Sequence, residues 1–250
     1  MKTIEILEQV EFSYPKDDKY IYCIPKDISI LSHQTYSILG ISGSGKSTIL
    51  TLVAALRHFS KGTIQYTFTT QDAYLTKKVT RANWRKTVGP PFWEHIGFSF
   101  QKPELIQALT VKENLEIALG KANTEEMALA VFDKKEWDEI KGSRVWKLSG
   151  GQSQRLGLIR AFGANQNIVF MDEPTNNLDK SNRKKVVDFI QKYRKDKSII
   201  LVSHDNAFTD MLNIHTIFEV QEEGQLHGRN QRILQIKQQK HWGHSIEQSF

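Results

Sequence analysis

The 250-residue sequence predicts an α/β fold on a mostly parallel sheet, and three observations carry that expectation. The apolar run YSILG (36–40) leads into the glycine-rich stretch GISGSGKST (40–48), and TILTLVAALRHF continues from it with helical periodicity. Two more apolar runs, NIVFM (167–171) and SIILVS (198–203), read as buried strands. Between those two lies KSNRKKVVDFIQKYR, with the pattern of an exposed helix. Strands alternating with helices point to parallel pairing.

The remaining elements follow in chain order. Residues 3–12 alternate as a strand, DISIL (27–31) as another, and GTIQYTFTT (62–70) is β-rich, so an N-terminal antiparallel part is expected beside the core. Residues 71–95 lose clear periodicity, with Lys77, Lys78, Arg81, Arg85 and Lys86 set around Trp84 and Trp93; Pro90-Pro91 breaks any helix there. HIGFSF (95–100) is again strand-like, and a polar, largely helical stretch follows to about residue 142. A helical subdomain over about 102–160 is therefore expected, inserted into a domain spanning 1–225. The Gln- and Lys-rich residues 226–250 read as a basic tail, either a loosely attached helix or a disordered end.

Composition narrows the class. Hydrophobic residues make up 39% and charged residues 25%, as in ordinary globular chains. No apolar run approaches the roughly 18 residues of a membrane span. Glu5, Glu8 and Glu11 break up the N-terminus, which excludes a secretory core there. The single cysteine, Cys23, cannot form an internal disulfide and suits a reducing cytoplasm. A net charge of +6 permits contact with nucleic acid or anionic lipid and requires neither.

The chemistry starts at Gly40–Thr48, which fits G-x-x-x-x-G-K-[ST] between a predicted strand and helix. Gly40, Gly43 and Gly45, with Ser42 and Ser44 between them, let successive N–H groups turn inward around a phosphate at a helix N-terminus. Lys46 would reach the β- and γ-phosphates, Ser47 would ligate Mg²⁺, and Thr48 would donate on the α-phosphate side. IVFMDE (168–173) ends a strand in two carboxylates. After a phosphate loop, these become the second half of a nucleotide triphosphatase site: Asp172 for Mg²⁺, Glu173 for the attacking water.

The order GISGSGKST, FQKPEL, LSGGQSQR, IVFMDEPTNNLD, LVSHD resembles the nucleotide-binding domain of ATP-binding cassette (ABC) proteins over roughly residues 3–220. The resemblance implies a P-loop NTPase fold of ABC type, ATP and Mg²⁺ as ligands, and ATPase activity. It makes Gln101 the Q-loop glutamine, sensing Mg²⁺ and the attacking water beside a docking groove for a membrane partner. His204 becomes the switch histidine at the γ-phosphate, Asp179 the D-loop residue that crosses between subunits, and Tyr14 the aromatic on adenine, with Tyr20 and Tyr22 nearby. Leu148, Ser149, Gly150, Gly151 and Gln152 become the signature, whose helix start faces the γ-phosphate held by a second cassette, an identical copy in the simplest case. Glu173 and His204 together imply a hydrolytically competent site.

The segment IGFSFQKPELIQALTVKENLEIAL further resembles cassettes of lipoprotein-release, macrolide-export and cell-division systems. The expected role is therefore the ATPase subunit of a transporter, peripheral on the cytoplasmic face and coupled to a separate permease. LIRAF and NQNIVFMDEP depart from the usual family wording, and 71–95 lacks the usual glycine-turn pattern. A soluble ABC ATPase acting on nucleic acid or ribosomes is the rival. Nucleic acid is not expected as a partner, because that group carries two cassettes or a long coiled coil.

Overall fold

The computed structural model describes residues 1–16, 19–70, 73–163 and 166–239. The chain begins with strands β1 (Lys2–Phe12), β2 (Tyr20–Ile24), β3 (Ser29–Leu31) and β4 (Thr35–Leu39), followed by helix α1 (Lys46–Val53). Strands β5 (Lys61–Thr69) and β6 (Tyr74–Thr80) precede two single-turn helices, α2 (Trp84–Thr87) and α3 (Pro90–Trp93), and strand β7 (Ile96–Ser99). The helical part consists of α4 (Val111–Leu119), α5 (Lys121–Leu129), α6 (Lys134–Ile140), a 3₁₀ turn (Val145–Lys147) and α7 (Gly150–Ala161). After it come β8 (Ile168–Asp172), α8 (Lys180–Tyr193), β9 (Ser198–Val202), α9 (Asn206–Met211), β10 (Thr216–Leu226) and β11 (Arg229–Gln239).

All the strands join one sheet in the order β6-β5-β1-β2-β11-β10-β4-β9-β8-β7, with β3 on β1. The run β10-β4-β9-β8-β7 is parallel, and β6-β5-β1-β2 is antiparallel. Strand β11 joins the two, antiparallel to β10 and parallel to β2. Strands β8 and β9 are buried on both faces, which explains why their sequences are almost continuously apolar. Alternate residues serve separate cores: Ile168, Phe170, Ile200 and Val202 face α1 and the antiparallel part, while Val169, Met171, Ile199 and Leu201 face the helical part and α8. At Gly97, on β7, a side chain would run into the Ala161 carbonyl at the end of α7. Glycine there lets the helical part lie directly on the sheet.

Three expectations are corrected. The helix expected through Phe59 stops at Val53, where Leu56 N–H turns back to the Thr51 carbonyl and Ala55 takes φ 55°. The chain must reverse there to bring buried Phe59 under the sheet and enter β5. Part of the aperiodic 71–95 segment is strand β6, and Pro90-Pro91, expected to break any helix, instead opens the single-turn α3, where proline's missing N–H costs nothing; residues 71 and 72 lie outside the described residues. As the sheet's edge it buries only Val79 and exposes Lys78, so its pattern is weak. The basic tail expected from residue 226 is instead a hairpin strand through Gln239, with Leu234 in the core; residues 240–250 lie outside the described residues. Strand β2 has no counterpart among the expected strands and is buried from Ile21 to Ile24.

Candidate active site

Gly45, at φ 96°, caps α1 and lets the chain turn from the loop into the helix. Lys46 folds back over that loop, its Nζ donating to the Gly40 and Ile41 carbonyls at 2.9 Å each. Burial holds Lys46 below its ordinary pKa, against the opposing pull of Glu173 and Asp172. The next residue ties the helix to β8, Ser47 Oγ donating to Asp172 Oδ1 at 3.0 Å. Burial raises the Asp172 pKa, opposed by Ser47, Lys46 and His204.

Glu173 follows at the strand end with φ 48°, a left-handed turn that aims its carboxylate toward the end of neighbouring β9. Its backbone N–H donates to the Val202 carbonyl (2.9 Å). Glu173 Oε2 accepts from the His204 backbone N–H (3.2 Å), and Oε1 lies 3.1 Å from His204 Nε2. Burial pushes the Glu173 pKa up, and the Asp172 charge adds to the effect. A desolvated carboxylate with a raised pKa, held at the mouth of a cleft, is suited to accept a proton.

These groups line an open cavity of about 340 Å³, together with Tyr14, Tyr22, Ser42, Gly43, Thr48, Gln101 and Val202. The structure thus brings together the phosphate loop, Gln101, Glu173, His204 and Tyr14, with Asp172 behind Ser47. The Tyr14 hydroxyl is 2.9 Å from Thr48 Oγ1, and its ring meets Phe12 and Tyr22 edge-on. Beyond its place beside Tyr14, Tyr22 holds its ring so close to Gly45 that any side chain there would collide with it.

The signature lies outside this cavity. Ser149 caps α7: its Oγ accepts from the Gln152 N–H (3.2 Å), and its own N–H donates to Gln152 Oε1 (3.0 Å). A helix start leaves its first N–H groups without intrahelical partners, here those of Gly150 and Gly151. Ser149 and Gly150 are exposed, and Leu148 precedes them at the end of the 3₁₀ turn. The exposed Asp179 caps α8 by accepting from the Asn182 N–H at 2.8 Å. The turn before it brings the Asn177 carbonyl against Gly151, 3.1 Å from where a β-carbon would sit.

Three residues that support this arrangement were missed, because nothing in a local pattern marks a buried polar group on a helix. Gln154, buried in α7, donates from Nε2 to the Glu173 carbonyl at 3.3 Å. Arg155 is buried beside it and forms a two-pronged pair with Glu136 of α6 at 2.5 and 2.9 Å. Glu136 also accepts from Gln152, so one carboxylate steadies the signature turn and its helix. Glu136→Ala is expected to cost about 3–5 kcal/mol by stranding a buried guanidinium, measured by urea unfolding.

Among the described residues no group of three or more His, Cys, Asp or Glu could hold a metal. The Ser47–Asp172 pair beside a phosphate loop still fits Mg²⁺, which takes few protein oxygens and completes its shell with water and substrate phosphates. A second cavity of about 320 Å³ opens beside Gln101, lined by Phe98, Phe100, Pro103, Glu104, Arg160 and Gln166 among others.

Residues 26–176 match the family model described as ABC transporter. The chain is 31% identical over 245 residues to the ABC transporter ATP-binding protein MJ0796 of Methanocaldococcus jannaschii, covering 90% of this chain and 99% of that one. It is 30% identical over 223 residues to the macrolide export ATP-binding/permease protein MacB of Wolinella succinogenes, covering 85% of this chain but only 32% of MacB. The fold matches a dimeric structure of MJ0796, in a post-hydrolysis state bound to ADP and Pi, with a TM-score of 0.65 and 25% identity over 86% of this chain and 93% of that one.

Proposed function

The chain belongs to the ABC transporter family of ATP-binding cassettes and is an ATPase of that type, and from this premise we propose that two copies close head to tail around ATP and drive a separate membrane permease. The observation that supports it is the division of the site: the cavity holds the phosphate loop, Glu173 and His204, while Ser149–Gly151 presents its helix start outside it. A second copy would supply those N–H groups to the γ-phosphate. The dimeric form of MJ0796 supports the same reading.

In the proposed cycle Lys46 and the loop N–H groups hold the phosphates. Glu173 takes a proton from the attacking water, and His204 positions Glu173 and the γ-phosphate. Ser47, Asp172 and Gln101 would hold Mg²⁺, which when bound neutralises phosphate charge. Asp179 would cross to the partner from the turn that touches Gly151. ATP drives closure only because it binds the closed pair better than the open one.

The cavity beside Gln101, part aromatic and part charged, supports a permease segment docking there, with the cassette peripheral on the cytoplasmic face. Among the described residues no helix is long and apolar enough to cross a membrane. The tagged chain is expected to bring down a polytopic membrane protein from detergent extracts. Reversing the charge of exposed Glu104 (Glu104→Arg) should release that protein while ATP turnover persists. Recovery with ribosomes or nucleic acid instead would sink the transporter reading.

A further inference from the structure

We propose that Arg232, on strand β11, is a positioning residue of the ATP site: it sets the phosphate loop from outside and thereby tunes nucleotide affinity. The proposal rests on the reading of Gly40–Thr48 as the phosphate loop and extends that site to a strand near the far end of the chain.

The placement follows from the sheet. Strands β11 and β2 pair in parallel with Arg232 opposite Tyr22, so the two side chains emerge next to each other over the loop. Arg232 Nη1 donates to the Gly43 carbonyl at 2.6 Å and to the Tyr22 hydroxyl at 3.3 Å. Its guanidinium lies 3.5 Å from the centre of the Tyr20 ring, a cation–π contact that holds the planar head in one orientation. Tyr22 meanwhile presses its ring on Gly45. The two facing residues therefore grip the loop at both ends of Gly43–Gly45.

The consequence for the loop is geometric. A peptide unit is planar, with its C=O and N–H pointing opposite ways. Anchoring the Gly43 carbonyl on Arg232 fixes the N–H of Ser44 toward the inside of the loop, where it meets the Ile41 carbonyl at 3.1 Å. Gly43 itself sits at φ 75° with open space where a side chain would stand, so this peptide is held by those two hydrogen bonds and not by packing at Gly43. A charge-assisted bond to a carbonyl is among the stronger neutral–ion contacts, and it places a fixed positive charge beside a loop built for a polyanion.

A residue that holds the loop, and touches neither the attacking water nor the reacting phosphate, binds ground and transition states alike. Its loss raises KM and leaves kcat. Arg232→Gln is expected to raise the KM for Mg-ATP, and the Kd for ADP, by about tenfold, with kcat at saturation within about twofold. Arg232→Lys keeps the charge but not the planar stack on Tyr20, and should recover part of the affinity. Tyr20→Leu should shift affinity the same way by a smaller factor. Steady-state kinetics, ADP titration and thermal melts on the full chain decide the matter.

A lower melting temperature with unchanged KM and Kd would overturn the proposal, leaving Arg232 as a sheet residue only. So would a fall in kcat at constant KM. Failure of the wild-type chain to bind ATP would be a failure of the site reading itself, and that arm is measured first.

Discussion

Glu173→Gln is expected to lower ATP turnover by about a hundredfold or more, the usual contribution of a positioned general base. The same variant, incubated with Mg-ATP, is expected to elute as a dimer from a sizing column, because binding proceeds and the step that reopens the pair does not. Full turnover by a species that stays monomeric would end the dimer mechanism. The structure adds a stability effect. The Glu173 pKa is raised by burial and by Asp172, so the folded state pays for its charge at every pH above the raised value. Removing the charge should therefore raise the nucleotide-free melting temperature near neutral pH. As pH falls through the raised pKa toward the ordinary carboxylate range, the wild-type Glu173 protonates and the advantage of Gln disappears. A melting-temperature difference that grew on acidification would contradict this account.

Ser149→Arg should abolish hydrolysis while leaving ATP binding to the single chain largely intact, since Ser149 lies outside the cavity lined by the phosphate loop. Mixing separates this from simple misfolding. In a mixed pair of Ser149→Arg and Lys46→Ala chains, one site carries both defects and the other carries none. If the sites are shared head to tail, the mixture should recover up to about a quarter of wild-type turnover, because half the pairs are mixed and each has one intact site of two. If each chain worked alone, mixing two dead chains would restore nothing. Trp146, 67% exposed and three residues before Ser149, offers a fluorescence signal for closure in the same samples. Its emission should shift when ATP brings the partner over the signature turn and stay fixed in Ser149→Arg.

The parts of this molecule that could be read from its residues are those where one physical demand dominates. Strands β8 and β9 are buried on both faces, so their apolar runs are unbroken; the phosphate loop needs glycines and a lysine at set intervals. What escaped reading lies where demands mix. Strand β6 is a sheet edge that exposes Tyr74, Thr76 and Lys78, and β11 buries Leu234 among glutamines and arginines, so neither alternates cleanly. Glu136, Gln154 and Arg155 look like ordinary surface residues of helices, because their burial depends on how α6 and α7 meet. The signature illustrates a third case. Its capped helix start is legible, but its role comes from the family resemblance, since its expected ligand sits on another molecule.

Strand β11 also sets when the sheet can close as the chain is made. Tyr22 and Arg232 are separated by 210 positions, and β11 is the seam between the antiparallel part and the parallel core. At ordinary rates of synthesis Tyr22 waits about 10–40 s before Arg232 has been added. Until then β2 keeps an open edge, and the phosphate loop lacks the grip of Arg232 at Gly43. Until β11 is added, the growing chain is therefore open to misassociation along the free edge of β2.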